Sequence, residues 1–199
     1  MTLVETDLFD PELLLACRLE MPAADDPRWR RYGNDNELKL EGPPAMWGPS
    51  TVDYFDRLAT MAPMLSEHFG IDGLTMETIG GGFHLIPPGG YLGIHTDFSR
   101  SPATGRYRRL NVLTYLNVEW GDDDGGELEL WNDTECVQSI KPEFGTTVAF
   151  VTSSTSWHGH RNPTRRWRAS LAGYFFTETA PSDFREQSTV WHPIGGCHA

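Results

Sequence analysis

From about residue 74 onward the chain breaks into short apolar runs, "LTMETI", "GFHLI", "YLGIH", "RLNVLTYLNV", "GELELW", "CVQSI", "TTVAFV" and "RASLAGYFFT", separated by Gly, Pro and Asp. Many short strands at near-regular spacing predict a mainly β domain, a sandwich or barrel with helices packed outside it. The helices belong to the first third. "DPELLLACRLE" reads as a short helix capped by Asp10, with Pro11 in its first turn and Glu12 near its positive end. Residues 21–49 read as a loop rich in Pro, Gly, Asp and Trp. "STVDYFDRLATMAPMLSEHFG" then predicts one long helix, capped by Ser50 with Asp53 three residues on, bent near Pro63 and ended by Gly70.

A length of 199 residues fits one domain, since domains run to about 100–200 residues each. Its expected parts are a helical support over 1–72, a β core over 74–178 and a C-terminal tail over 179–199. A formal net charge of −12 disfavours nucleic acid as a partner, because phosphate recognition needs Lys and Arg. No apolar run approaches the ~20 residues of a membrane span, and the acidic opening "MTLVETDLFD" is unlike a secretory signal. The expectation is a cytoplasmic protein with no membrane partner, its oligomeric state left open. Cys17, Cys136 and Cys197 are scattered without CxxC spacing and suggest neither a disulfide framework nor a cysteine metal site. "GDDDGG" at 121–126 reads as a solvated turn, since the further oxygen ligands of a calcium loop are missing.

Chemistry concentrates at "YLGIHTDFS", residues 91–99. On a strand, residues i and i+2 share a face, so His95 and Asp97 can converge on one point. A third ligand must come from a neighbouring strand, and "SWHGH" supplies His158 and His160. Two histidines and one carboxylate on one side of a metal is the set used for non-haem iron(II). Taken singly, each residue has a plain structural reading: a hydrogen-bonded core histidine, or an aspartate capping the turn at "DFSRS". Downstream, Arg168 and Ser170 share a strand face, and a guanidinium fork matches a carboxylate.

"HTD", "RRLNVLTYLN", "GGELEL", "HGH" and "RAS", in this order, resemble the iron(II)/2-oxoglutarate-dependent dioxygenases, especially their prolyl 4-hydroxylase-like branch. The resemblance covers about residues 80–178 and implies a double-stranded β-helix, the cupin-like jelly roll. It implies His95, Asp97 and His158 as ligands of Fe(II), with His158 favoured over His160 because it begins an "HG" pair ten residues before Arg168. It further implies 2-oxoglutarate and O2 as cosubstrates, with Arg168 and Ser170 gripping the far carboxylate. Tyr115 stands where relatives place a hydroxyl on that carboxylate, and Asn111, four residues earlier on the same face, can reach cosubstrate or substrate. His84, Trp131 and His160 are candidates for the substrate wall, as are Trp120 and Trp157.

One departure from the family pattern falls in "FHLIPPGG", where Ile86 stands in place of a common tyrosine that touches the cosubstrate, while His84 shares its strand face. Related iron halogenases carry a small residue in the carboxylate position, so Asp97 implies oxygenation. The activity implied is hydroxylation of an aliphatic C–H bond in a small molecule, amino acid or peptide. The alternatives are a prolyl hydroxylase acting on a protein and a non-catalytic cupin-like binding protein. The arginines of "RSPATGRYRR" read as surface-pairing groups or as a clasp for an anionic substrate.

Overall fold

The computed structural model describes residues 1–193; Cys197 and His198 lie outside them. In chain order the strands and α-helices are β1 (Thr2–Glu5), α1 (Pro11–Glu20), β2 (Arg30–Asn34), β3 (Glu37–Gly42), α2 (Pro49–Thr60) and α3 (Ala62–Phe69). The remainder is β4 (Thr75–Ile86), β5 (Leu92–Thr96), β6 (Tyr107–Tyr115), β7 (Leu128–Trp131), β8 (Cys136–Ile140), β9 (Thr147–Val151), β10 (Trp157–His160), β11 (Arg168–Thr177) and β12 (Val190–Trp191). The strands pair in the order β1-β9-β6-β11-β4-β3-β5-β10-β7-β8, with β2 on β3 and β12 on β5. Every pairing is antiparallel. This is a curled, jelly-roll sheet with three α-helices, as the strand texture predicts. No helix among the described residues is long and apolar enough to cross a membrane.

Period-2 alternation divides each central strand between two environments. On β6 and β11 one face carries Leu110, Val112, Leu171 and Phe175, which pack in one core with Leu14 of α1, Tyr54 and Leu58 of α2 and Leu65 of α3. Tyr54, fully buried, donates its hydroxyl to Thr114 at 2.8 Å, satisfying the polar end of its ring. The opposite face looks inward, and Asn111, Leu113, Arg168, Ser170 and Tyr174 line a cavity there. Below it, Tyr115, Leu128, Leu130, Ile140, Val148 and Phe150 close the barrel with a second apolar cluster.

The first third departs from expectation in three places. Residues 21–49 are more than a loop: they contain the β2–β3 hairpin, whose turn is set by Asn34 Oδ1 accepting from the Asn36 and Glu37 amides at 2.8 and 3.2 Å. Its strands read "RRYGN" and "ELKLEG", too charged to stand out as apolar runs. The long helix is two, α2 and α3, broken at Met61 just before Pro63, which lacks the amide a continuous helix would use. Its cap is also different. Gly48 is the N-cap residue, and the Ser50 and Thr51 amides donate to the Glu20 carboxylate from the end of α1, at 2.7 and 2.8 Å. Asp53 pairs instead with Arg57.

The helical support therefore also supplies β1, β2 and β3 to the sheet, and the tail supplies β12, which pairs with β5. Asp10 caps α1 as expected, accepting from Glu12 at 2.8 Å, and Gly70 ends α3 in the left-handed conformation. Cys17 is buried and Cys136 exposed, both free thiols.

Candidate metal and cosubstrate site

In the antiparallel pairing of β5 with β10, His158 lies directly opposite His95. Gly159 permits that closeness: a Cβ there would sit 2.5 Å from the Gly93 carbonyl oxygen and 2.6 Å from that of Leu92. The register then slips, His160 facing Leu92, an irregularity of the kind that re-aims side chains beside active sites. Asp97 follows just beyond β5. One ligand atom from each of His95, Asp97 and His158 lies within 4.8 Å of the others. His158 Nε2 is 3.4 Å from Asp97 Oδ2, and His95 Nε2 is 3.8 Å from Asp97 Oδ1.

Each histidine has its tautomer fixed by its own strand. His95 Nδ1 bonds the Gly93 carbonyl at 2.9 Å and His158 Nδ1 the Ser156 carbonyl at 3.0 Å. A carbonyl only accepts, so the proton sits on Nδ1 and Nε2 is left as a lone-pair donor, the arrangement that orients metal-binding imidazoles. Burial, reinforced by the facing His158, pushes the His95 imidazole down to about 3, and burial likewise lowers His158. Burial alone would raise Asp97, but Arg108, followed by the two histidines, holds it well below the usual carboxylate range. Two neutral imidazoles and one carboxylate at neutral pH fit iron(II) in charge, donor type and number.

Asp97 is held by groups that its sequence neighbourhood does not reveal. Asn111 donates to Oδ2 at 2.8 Å, and Arg108 Nη2 lies 3.2 Å from the same oxygen. Arg108 also donates to Asn111 Oδ1 through Nε and Nη2, and its guanidinium stacks 3.7 Å from the Tyr174 ring centroid. Asn111, expected to reach cosubstrate or substrate, lines the cavity with its amide engaged by Asp97 and Arg108. Arg108 is not a surface residue: it is 5% exposed and lines both the cavity and the vestibule. The pairing of β6 with β11 skips Arg109, so the alternation that points Leu110 and Val112 outward is broken and Arg108 lines the cavity. Tyr174 and Trp191 were also missed; Trp191, carried by β12, lies 5.1 Å ring to ring from His95.

The cavity beside the triad measures about 70 Å³. Across β4 and β11 its wall is laid in rows, Ile86 beside Arg168 and His84 beside Ser170, while Tyr115, opposite Ser170 on β6, packs in the second apolar cluster and reaches the wall through Arg168. Arg168 is 5% exposed. It donates from Nε to the Gly126 carbonyl at 2.8 Å and from Nη2 to the Tyr115 hydroxyl at 3.3 Å, and among the described residues it forms no ion pair. A buried guanidinium without a carboxylate fits the far carboxylate of 2-oxoglutarate, because buried charges are otherwise paired. Arg166, two residues upstream, is exposed and paired with Asp124 at 3.2 Å.

The remaining expected residues divide. His84 lines the cavity and the outer vestibule, bonded at 3.2 Å to the Gly80 carbonyl. His160 lines the inner cavity. Trp131 lines neither space, its indole donating to Glu129 at 2.7 Å under the Arg161 guanidinium. Trp157 donates to Asp133 and Trp120 to the Gly125 carbonyl, also away from the cavity. The vestibule, about 540 Å³, opens over His95 and Asp97 and is lined by Arg30, Lys39, Arg100, Glu37, Glu41 and Trp191 among others.

The sequence model of the 2OG-Fe(II) oxygenase superfamily matches residues 81–176. No curated protein matches the chain in sequence. Solved structures match its fold. A Pseudomonas putida prolyl-4-hydroxylase aligns with a TM-score of 0.69 at 19% identity, over 89% of this chain and 93% of that one. A Trichoplax adhaerens prolyl hydroxylase, solved with a peptide fragment of the hypoxia inducible factor oxygen degradation domain, aligns at 0.63 and 16%, over 89% and 84%. HygX from Streptomyces hygroscopicus, solved with nickel and 2-oxoglutarate, aligns at 0.56 and 15%, over 96% and 92%. The matched segment runs from β4 through β11, where both the triad and Arg168 reside, and these residues form a 2OG-Fe(II) oxygenase domain dependent on iron(II) and 2-oxoglutarate.

Proposed function

We propose that the enzyme hydroxylates an aliphatic C–H bond of a polar small molecule, amino acid or peptide. His95, Asp97 and His158 hold iron(II), and Arg168, with Tyr115 and Ser170, takes the far carboxylate of 2-oxoglutarate. One observation carries the assignment: a converging His/Asp/His set stands at one end of a cavity whose wall also holds a buried arginine with no ion pair among the described residues. When bound, the iron supplies oxygen activation coupled to oxidative decarboxylation of 2-oxoglutarate to succinate. The chain's own part is geometric and electrostatic. Gly93 and Ser156 fix the imidazole tautomers, Asn111 and Arg108 hold Asp97, and Ile86, Leu92, Leu113 and Leu128 exclude water from the cosubstrate.

Substrate enters through the vestibule, whose rim carries both charge signs, Glu37 and Glu41 facing Arg30, Lys39 and Arg100. A rim of that kind favours a substrate with its own polar or charged groups. Bound molecules of both sizes are found among the similar folds: HygX was also solved with hygromycin B, and the Trichoplax prolyl hydroxylase with a peptide fragment. The second reading, a prolyl hydroxylase acting on a protein, is supported by the fold likeness to prolyl hydroxylases. The deciding experiment measures succinate released from 2-oxoglutarate, iron(II) and oxygen while candidate amino acids, amino sugars and proline-containing peptides are supplied. Turnover stimulated by one class identifies it. A protein that binds metal and 2-oxoglutarate but gives no succinate with any of them, and none uncoupled, is a cupin-like binder and refutes the proposal.

A further inference from the structure

Resting on that reading of the cavity, we infer that His160 is a second anchor for 2-oxoglutarate, donating a ring N–H to the carboxylate that Arg168 grips. His160 is 2% exposed, and neither of its ring nitrogens has a hydrogen-bond partner among the described residues. Buried polar side-chain atoms are almost always partnered, so an imidazole with both nitrogens idle in a ligand cavity points to the ligand. The other nitrogen-bearing side chains around the cavity are engaged. His84 bonds Gly80, Lys39 pairs with Glu37 at 2.9 Å, and Asn111 and Arg108 serve Asp97.

Strand register places His160 between the triad and Arg168. On the β7 side, His158 lies opposite Leu130 and Gly159 opposite Glu129, so His160 comes level with Leu128. Two residues further along that strand edge, the Gly126 carbonyl receives Nε of Arg168. The wall thus runs from the triad through His160 to the guanidinium. Ile86, directly across from Arg168, is apolar and offers no donor. A neutral imidazole supplies one, adding a hydrogen bond to an anion without adding charge beside Arg168.

The test uses calorimetry on anaerobic, Mn(II)-loaded protein, with 2-oxoglutarate and with 2-oxopentanoate, which keeps the keto-acid head and lacks the far carboxylate. His160→Phe should weaken 2-oxoglutarate roughly tenfold to a hundredfold, the worth of a hydrogen bond to a charged group. His160→Gln, which keeps a donor, should recover part of that loss. Affinities for 2-oxopentanoate and for Mn(II) should not change in either variant. Unchanged 2-oxoglutarate binding in His160→Phe, with Arg168→Met still weakening it, overturns the role of His160 and leaves the reading of the cavity standing. Unchanged binding in both variants overturns both. Loss of Mn(II) by His160→Phe would make His160 a metal ligand and also refute the inference. If His160→Phe does not fold, the unmodified Zn(II)-loaded protein decides by NMR: 2-oxoglutarate should protect a His160 ring N–H from solvent exchange, and no protection refutes the anchor.

Discussion

Arg168→Met separates a ligand-binding arginine from a structural one. Methionine keeps much of the stem and removes the guanidinium, so the change is mostly one of charge. In the absence of cosubstrate, the substitution strips a partner from the Gly126 carbonyl and the Tyr115 hydroxyl, at about 1–3 kcal/mol for each group left unsatisfied. It also removes a buried charge that has no ion-pair partner among the described residues, and whose desolvation costs several kcal/mol. These nearly cancel. Cosubstrate-free stability should change by less than about 1 kcal/mol, whereas breaking a buried pair would cost about 3–5 kcal/mol. Binding should behave in the opposite way. Losing one partner of a buried charge pair costs about 2–5 kcal/mol, hence a roughly 30-fold or greater loss of 2-oxoglutarate affinity. At a ligand concentration 100 times the wild-type Kd, 2-oxoglutarate adds about 2.7 kcal/mol to wild-type stability and under about 1 kcal/mol to the variant. Urea unfolding of the Mn(II)-loaded protein, with and without 2-oxoglutarate, measures both numbers. A variant destabilised by about 3 kcal/mol or more that still gains the full ligand increment would show that Arg168 is a structural residue and that the carboxylate binds elsewhere.

Anaerobic iron(II) and saturating 2-oxoglutarate should give a visible charge-transfer band that disappears in His95→Ala and His158→Ala; survival in His158→Ala would remove it from the triad. Gly159→Ala places a methyl against two β5 carbonyls, so it should cost about 1–3 kcal/mol by overpacking and weaken Mn(II) by spreading His95 from His158, read by urea unfolding and metal titration. Burial, with Lys39 adding to it, lowers His84 to about 3. The unfolded chain therefore binds that proton first, and His84 subtracts stability as pH falls from ~6.5, about 2 kcal/mol by pH 5; stability against pH should be shallower in His84→Gln, and an identical slope would refute the burial argument. Because Asp97 occupies the carboxylate position, the product formed in excess chloride should carry oxygen and no chlorine by mass spectrometry, and a chlorinated product would refute hydroxylation.

How far the sequence could be read depended on whether each feature is local. His95, His158 and Arg168 lie on β5, β10 and β11, and Asp97 follows one residue past the end of β5, so spacing alone pairs His95 with Asp97 and Arg168 with Ser170. Short apolar runs likewise gave most of the core strands. Arg108 was hidden by a single extra residue in β6, because a bulge reverses the face of everything on one side of it. Glu20 capping α2 from 30 residues away leaves no signature near Ser50. Trp191 reached His95 through β12, a two-residue strand defined only by its partner β5. Trp131 had the right composition and address, yet its neighbours Glu129 and Arg161 fix it outside the cavity.

The three metal-binding side chains are held by different means, which ranks what can disturb them. His95 and His158 each bond the carbonyl two residues upstream on the same chain, so their orientation comes with the strand and needs no other side chain. Asp97 lies past the last residue of β5, where the ladder no longer fixes it. Its carboxylate is set by Asn111 and Arg108, and its own carbonyl by Gln187 from the segment preceding β12, at 2.9 Å. Arg108 is in turn held by the rings of Tyr174 and Phe98. Backbone changes in β5 or β10 act on both imidazoles, while changes at Asn111, Arg108 or Tyr174 act first on the carboxylate. The carboxylate is thus the ligand whose setting depends on side chains that also line the vestibule, Arg108 and Tyr174 beside Asp97, whereas the two imidazoles take their orientation from the backbone.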